Sequence, residues 1–349
     1  MLQIFLRVFT DNHFLSAFLQ TVILIFLGFI LRRKGILGYE SKRTIRILVW
    51  DISVPCVAFN AFMQDFNAEN FLNGISVFWV SALMYAILFF TGKILFIKKG
   101  KDLSTVNGLF MAVGQVTLFS MPILLSVYNG RDAEVALNIS MISVVFRIMV
   151  YIIGYYLISG EKIQAKTFFP SLKKIFLTPI MIGMFSGIII WLVQNWTPQV
   201  CVDGKNYSFL RIDKTLPFLY HTVRTLTNLL NPLSMILIGM SIGEADFASA
   251  FKDIKAWISA LGRNFIAPIL TLFVALILEK TGLVHWNEYS LISLVIGFSA
   301  PVSVSLSVFC VQFNKEEMFA SRTCMISTLL TLVSLPLSFV ASYFVLSLL

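Results

Sequence analysis

Runs of about 20 predominantly apolar residues, each long enough to cross the hydrocarbon core of a bilayer as a helix, follow one another along almost the whole chain. Backbone in lipid must bond to itself, which leaves helices and closed barrels, and runs of this length select helices. The expected spans cover 13–31, 45–64, 74–97, 104–128, 134–158, 175–196, 215–242, 254–278, 289–313 and 318–348, ten in all. With 58% hydrophobic and 13% charged residues and a mean hydropathy of +0.84, the chain lies outside the range of soluble domains. The fold class expected is an all-α membrane protein.

Orientation follows from Lys and Arg, which short cytoplasmic loops retain. With the amino terminus outside, the cytoplasmic ends collect Arg32, Arg33, Lys34, Lys42, Arg43, Arg46, Lys93, Lys98, Lys99, Lys101, Lys162, Lys166, Lys173, Lys174, Lys252, Lys255, Arg263, Lys315 and Arg322, out of 27 basic residues. Arg7, Arg131, Lys205, Arg211, Lys214 and Lys280 fall outside, and Arg147 and Arg224 lie within spans. Both termini are therefore expected outside a cell membrane crossed an even number of times. Topology and anionic head groups account for the net charge of +9, and nucleic acid is not implied as a partner.

The first segment carries Asp11 and His13 ahead of its apolar run and lacks a small-residue cleavage site, so it reads as a helix and not as a secretory signal. Cys56, Cys201, Cys310 and Cys324 are scattered, and His13, His221 and His285 lie far apart near span ends. Neither a metal site nor a cofactor follows. No HExxH, GxSxG or paired membrane acids appear, so an enzyme is not expected.

Prolines interrupt two apolar runs at corresponding places, Pro122 in GQVTLFSMPILLSVYNG and Pro301 in VIGFSAPVSVSLSVFCVQFN. Proline inside a spanning helix leaves carbonyls unbonded, tolerable where the break is buried in protein or lines a cavity. An internal repeat accompanies them. Thr44, Arg46 and Pro55 read against Thr222, Arg224 and Pro232, and Tyr128–Ser143 reads against Phe313–Ser327, each pair differing by one residue in length. The matches lie five spans apart, and an odd number of spans per repeat turns the halves over, the inverted arrangement of secondary transporters.

On these segments the chain resembles the auxin efflux carrier family, which includes plant auxin carriers and bacterial malate and malonate permeases. The matching elements are LGFILRRKGIL with the Pro55 helix, GQVTLFSMPILLSVYNG, Asn231-Pro232 ending in IGMSIG, RNFIAPIL, and SAPVSVSLSVF followed by MISTLLTLVSLPLSF. The resemblance implies two inverted five-helix repeats with crossed, proline-broken fourth and ninth helices. It divides the chain into scaffold helices at 1–67 and 161–247 and transport helices at 68–160 and 248–349. It further implies an elevator-type cycle and a homodimer. Plant carriers usually have Gly-Asn where this chain has Gly114-Gln115, and Gly where it has Ser120. The short 159–174 loop favours a microbial solute permease.

Half-helix amino termini present N–H groups and partial positive charge to an anion. Gln115, Thr117, Ser120 and Pro122 on one side and Ser299, Pro301, Ser303 and Ser305 on the other are the candidate substrate-binding residues. Hydroxyls in membrane helices also bond their own carbonyls, so each has a structural alternative. Arg147, inside a span, is a candidate partner for a substrate carboxylate, with structural pairing or snorkelling as the alternative. Asp51, one turn before Pro55, is a candidate group for coupling to H+ or Na+ if desolvation raises its pKa, or else a partner of Arg46 or Lys42. Transport of a small organic anion, such as malate, malonate or an auxin-like acid, is the expectation. A cation/proton antiporter of the same general fold and an anion channel are the alternatives.

Overall fold

The structure, a computed structural model, describes residues 12–128, 132–161, 173, 176–244 and 247–348. Arg7, Asp11, Asn129, Arg131, Lys162, Lys166 and Lys174, most of the 159–174 connection and the side chain of His13 lie outside the described residues.

Among the described residues, Leu15–Arg33, Ala68–Leu95, Ala133–Ser159, Pro217–Gly243, Ile254–Lys280 and Glu317–Leu346 are helical and apolar over lengths that cross a bilayer. Val116–Val127, Pro179–Val193 and Glu288–Phe298 are shorter apolar helices. Tyr39 to Asn60 forms a further helical run through a π turn at Leu48–Ser53. Large apolar side chains such as Ile23, Phe26, Trp79, Phe90 and Phe273 stand exposed on the outer faces, where lipid tails cost them nothing.

Three prolines follow directly on π turns. Leu48–Ser53 precedes Val54-Pro55, Val116–Ser120 precedes Met121-Pro122, and Gly262–Ile266 precedes Ala267-Pro268. Proline removes one N–H and collides with the carbonyl four residues back, and the wider π turn carries that carbonyl clear. Pro122 therefore does not break its helix, which corrects the expectation from sequence. The chain leaves helical geometry earlier, at Val113–Gln115, between the helices Lys101–Ala112 and Val116–Val127. The second break, Ser299 to Ser303, does contain Pro301 and separates Glu288–Phe298 from Val304–Gln312.

A short antiparallel hairpin, β1 Gln199–Val202 and β2 Lys205–Ser208, departs from the helical plan. Its turn residues Asp203 and Gly204 have φ of 51° and 79°, the backbone that Asp-Gly favours in a two-residue hairpin. Arg211, 2% exposed, anchors it. Its Nε and Nη2 donate to Asp213 Oδ1 and Oδ2 at 2.7 and 2.8 Å, and its Nη1 donates to Asp65 Oδ1 and Gln194 Oε1 at 2.8 and 2.9 Å. Burial works against the Arg211 charge, but the bonds to Asp213 and Asp65 outweigh it and hold the pKa above its ordinary value.

Two sets of helices pack mainly within themselves. Asn12–Arg33 lies along Leu230–Gly243, while Pro179–Val193 and Pro217–Asn228 pack on Val54–Asn60. Ala68–Leu95 packs on Lys101–Ala112 and Asp132–Ile148, and Glu288–Phe298 packs on Asp132–Ile148 and Glu317–Leu346. In the first set backbone meets backbone, since a Cβ on Gly239 would lie 2.0 Å from the Ile25 carbonyl oxygen. Such contact requires glycine.

Candidate functional site

The two breaks cross and pair with each other. Gly114 and Val302 form an antiparallel bridge. The Gln115 N–H donates to the Pro301 carbonyl at 2.7 Å, and the Ser303 N–H donates to the Val113 carbonyl at 3.1 Å. Backbone groups freed at each interruption thus satisfy those of the other, as a non-helical segment at membrane depth requires.

Three further carbonyls at and before the breaks are met by Arg263, which is fully buried. Its Nε donates to Ala300 O at 2.9 Å, and its Nη1 donates to Met111 O and Ala112 O at 2.9 and 3.0 Å. A guanidinium there answers the negative end of Lys101–Ala112 as well as its orphan acceptors. Gly114 makes room for it, because a Cβ on Gly114 would lie 2.0 Å from Arg263 Nη2. The π turn Gly262–Ile266 also presents Asn264, whose Nδ2 donates to the Ser327 carbonyl at 3.0 Å, while Ser327 Oγ donates to Asn264 Oδ1 at 2.6 Å and accepts from the Val302 N–H at 3.0 Å. Arg263 was grouped above with the cytoplasmic loop cations. Its place at the crossing corrects that, and the signal was its depth, nine residues inside the 254–278 run.

Beside the crossing lies a cavity of ≈400 Å³. One wall comes from the first helix set, with Tyr39, Lys42, Arg43, Arg46, Trp50, Leu237, Ile238, Ser241 and Glu244. The other comes from the crossing and its neighbours, with Gln115, Leu118, Pro301, Val304, Ser305, Ser307, Cys324, Met325 and Thr328. Glu244 forms ion pairs with Arg32 at 3.0 Å and with Lys42. Arg43 and Arg46 carry no ion pair among the described residues, so the lining is net positive. The chain turns helical at Val116 and Val304, bringing two helix starts to the same floor. Apolar walls with a few polar groups and surplus positive charge suit a small organic anion.

Of the residues expected from sequence, Gln115, Pro301 and Ser305 line this cavity. Ser303 lies at the crossing with its Oγ buried and without a hydrogen-bond partner among the described residues. Thr117 Oγ1 faces Ser143 Oγ at 3.4 Å, Ser120 Oγ donates to Ile296 O at 2.7 Å, and Ser299 Oγ donates to Val295 O at 2.8 Å. These three hydroxyls are occupied within the protein, and Pro122 is buried in its helix. Arg147, 2% exposed, packs against the ring of Trp50 and is not among the residues that line the cavity. Asp51 is exposed and off the cavity, contrary to the buried carboxylate expected. Its neighbours Val49 and Ser53 hold the buried face of that π turn, and Trp50 reaches the cavity. Trp50, Ser241, Thr328 and Arg263 were not singled out from sequence. Trp50 and Ser241 sit in runs whose polarity does not stand out, and only packing reveals their side.

A family model described as membrane transport protein matches residues 13–339, which includes every residue of the crossing and the cavity. No curated protein matches the chain.

Proposed function

Because the chain belongs to the auxin efflux carrier family of membrane transport proteins, we propose that it is a secondary transporter of a small organic anion, a carboxylate such as malate, malonate or an auxin-like acid, bound in the cavity beside the crossing. The observation that carries this reading is the cavity itself. Gln115, Val304 and Ser305 at two helix starts line it, and Arg43 and Arg46 give it positive charge that no carboxylate among the described residues cancels.

The exchange of one N–H···O bond in each direction between the breaks supports two inverted five-helix repeats, since a two-fold relation would produce that reciprocity. The cavity walls divide between the two helix sets, and this favours an elevator-type cycle in which 68–160 and 248–349 slide against a scaffold of 1–67 and 161–247. By the positive-inside rule the mouth bearing Lys42, Arg43 and Arg46 opens to the cytoplasm, with both termini outside the cell membrane. A homodimer through the scaffold belongs to the same reading.

Solute counterflow into proteoliposomes tests it, with malate, malonate, succinate and indole-3-acetate as probes. Exchange of at least one acid is expected, saturable and weakened by Gln115→Ala. Flux driven by Na+ or pH gradients alone, with no exchange of any acid, would replace this reading with the antiporter.

A further inference from the structure

We infer that the cavity extends, behind Trp50, to an anion subsite headed by Arg147, and that Trp50 is the movable cover over it; this deepens the organic-anion reading, on which it rests. Arg147 is 2% exposed, and its Nε and Nη2 have no hydrogen-bond partner among the described residues. Those two atoms form one edge of the guanidinium, the edge that grips a carboxylate with two parallel bonds. The same chain displays that use at Arg211, whose Nε and Nη2 hold the two oxygens of Asp213 at 2.7 and 2.8 Å. At Arg147 the fork has the same chemistry and, among the described residues, no internal carboxylate.

Buried donors are normally paired, and an ionised group leaving two of them open is a strong exception. The face of Trp50 answers part of the charge, with the Arg147 guanidinium carbon 5.4 Å from the ring centre. A ring face at that distance replaces neither of the two N–H···O bonds the fork could make. Trp50 is half-buried, lines the cavity and packs against the Arg147 guanidinium, so a shift of its ring would open the fork to the space an anion enters. It also lies in the π turn Leu48–Ser53, where the backbone is wider than a regular helix. A ligand carboxylate displacing the ring would close both open bonds. The ligand class is a carboxylate small enough for the ≈400 Å³ cavity. Chloride, lacking two acceptor atoms at carboxylate spacing, gains much less.

The test uses the purified full chain and calorimetric titration with malonate, succinate and phenylacetate, with chloride as the control, followed by tryptophan emission. Arg147→Gln is expected to weaken the best-bound acid about tenfold or more, and Arg147→Lys, which keeps charge but loses the fork, by an intermediate factor. Trp50→Phe is expected to keep binding while abolishing the acid-induced change in emission. Wild-type affinity in Arg147→Gln, or in Arg147→Lys if the Gln variant does not elute as a folded species, overturns the inference alone. So does an undiminished emission change in Trp50→Phe. A wild-type protein that binds none of the acids overturns the organic-anion reading together with it.

Discussion

Replacing Arg263 with Met removes the group that holds the crossing closed. Three hydrogen bonds are lost, to Ala300 O, Met111 O and Ala112 O, all at 2.9–3.0 Å and all buried. Hydrogen bonds to charged groups contribute ~1.5–3 kcal/mol each in mutational measurements, which already include desolvation. Three of them set a range of about 4–9 kcal/mol, and neighbouring bonds in one network combine less than additively, so the low end applies. Met fills most of the volume, and cavity formation adds little. An unfolding midpoint lowered by about 5 °C is expected from ~4 kcal/mol at the per-residue entropies of folded proteins, taken over the 349 residues of the chain. Arg263→Lys keeps a charge but presents a single ammonium, which cannot span carbonyls from both breaks, so it should fall between wild type and Met. Thermal unfolding of the purified protein in one detergent, followed by tryptophan emission, measures the series. A Met variant melting with wild type, or Lys melting no higher than Met, would refute the view that charge-assisted bonds to both breaks secure the crossing.

Gly239→Val should give little folded protein, because its Cβ would meet the Ile25 carbonyl oxygen at 2.0 Å; a monodisperse variant with wild-type elution would show that those helices can part. Arg211→Gln should loosen the hairpin, and limited proteolysis near residues 199–215 detects it. The sign for pH follows from a folded pKa raised above its ordinary value: the stability that Arg211 adds is fully present below the ordinary guanidinium range, so it should not decline as pH rises from 7 to 10. Loss of that protection across this interval contradicts the assignment. Asp51→Asn should leave the pH profile of transport unchanged, since the side chain is exposed and off the cavity; a displaced profile would restore Asp51 as a coupling group.

What sequence conveys here divides along physical lines. Length and hydropathy decide that a run crosses lipid, because the bilayer imposes that requirement on each run separately. Pro301 marks its break for the same local reason. Pro122 misleads, because a π turn absorbs a proline without ending the helix, and nothing in VTLFSMP announces the wider turn. The first break falls instead at Gly114, where the decisive partner is a side chain about 150 residues away, Arg263. Thr117, Ser120 and Ser299 illustrate a second limit. A hydroxyl in an apolar run has the same appearance whether it faces a ligand or bonds a carbonyl, and only the crossing geometry tells them apart. Arg263 was legible from its depth in a span, yet counting it with nearby Lys252 and Lys255 hid it.

Whether the cavity beside the crossing carries a small organic anion is decided by currents from the reconstituted protein on a solid-supported membrane, across concentrations of malate, malonate, succinate and indole-3-acetate, with and without Na+ and pH gradients. A saturable current for at least one acid, diminished in Gln115→Ala, is expected. A response to Na+ or pH alone, with every acid inert, or an acid current that rises linearly without saturation, would contradict it.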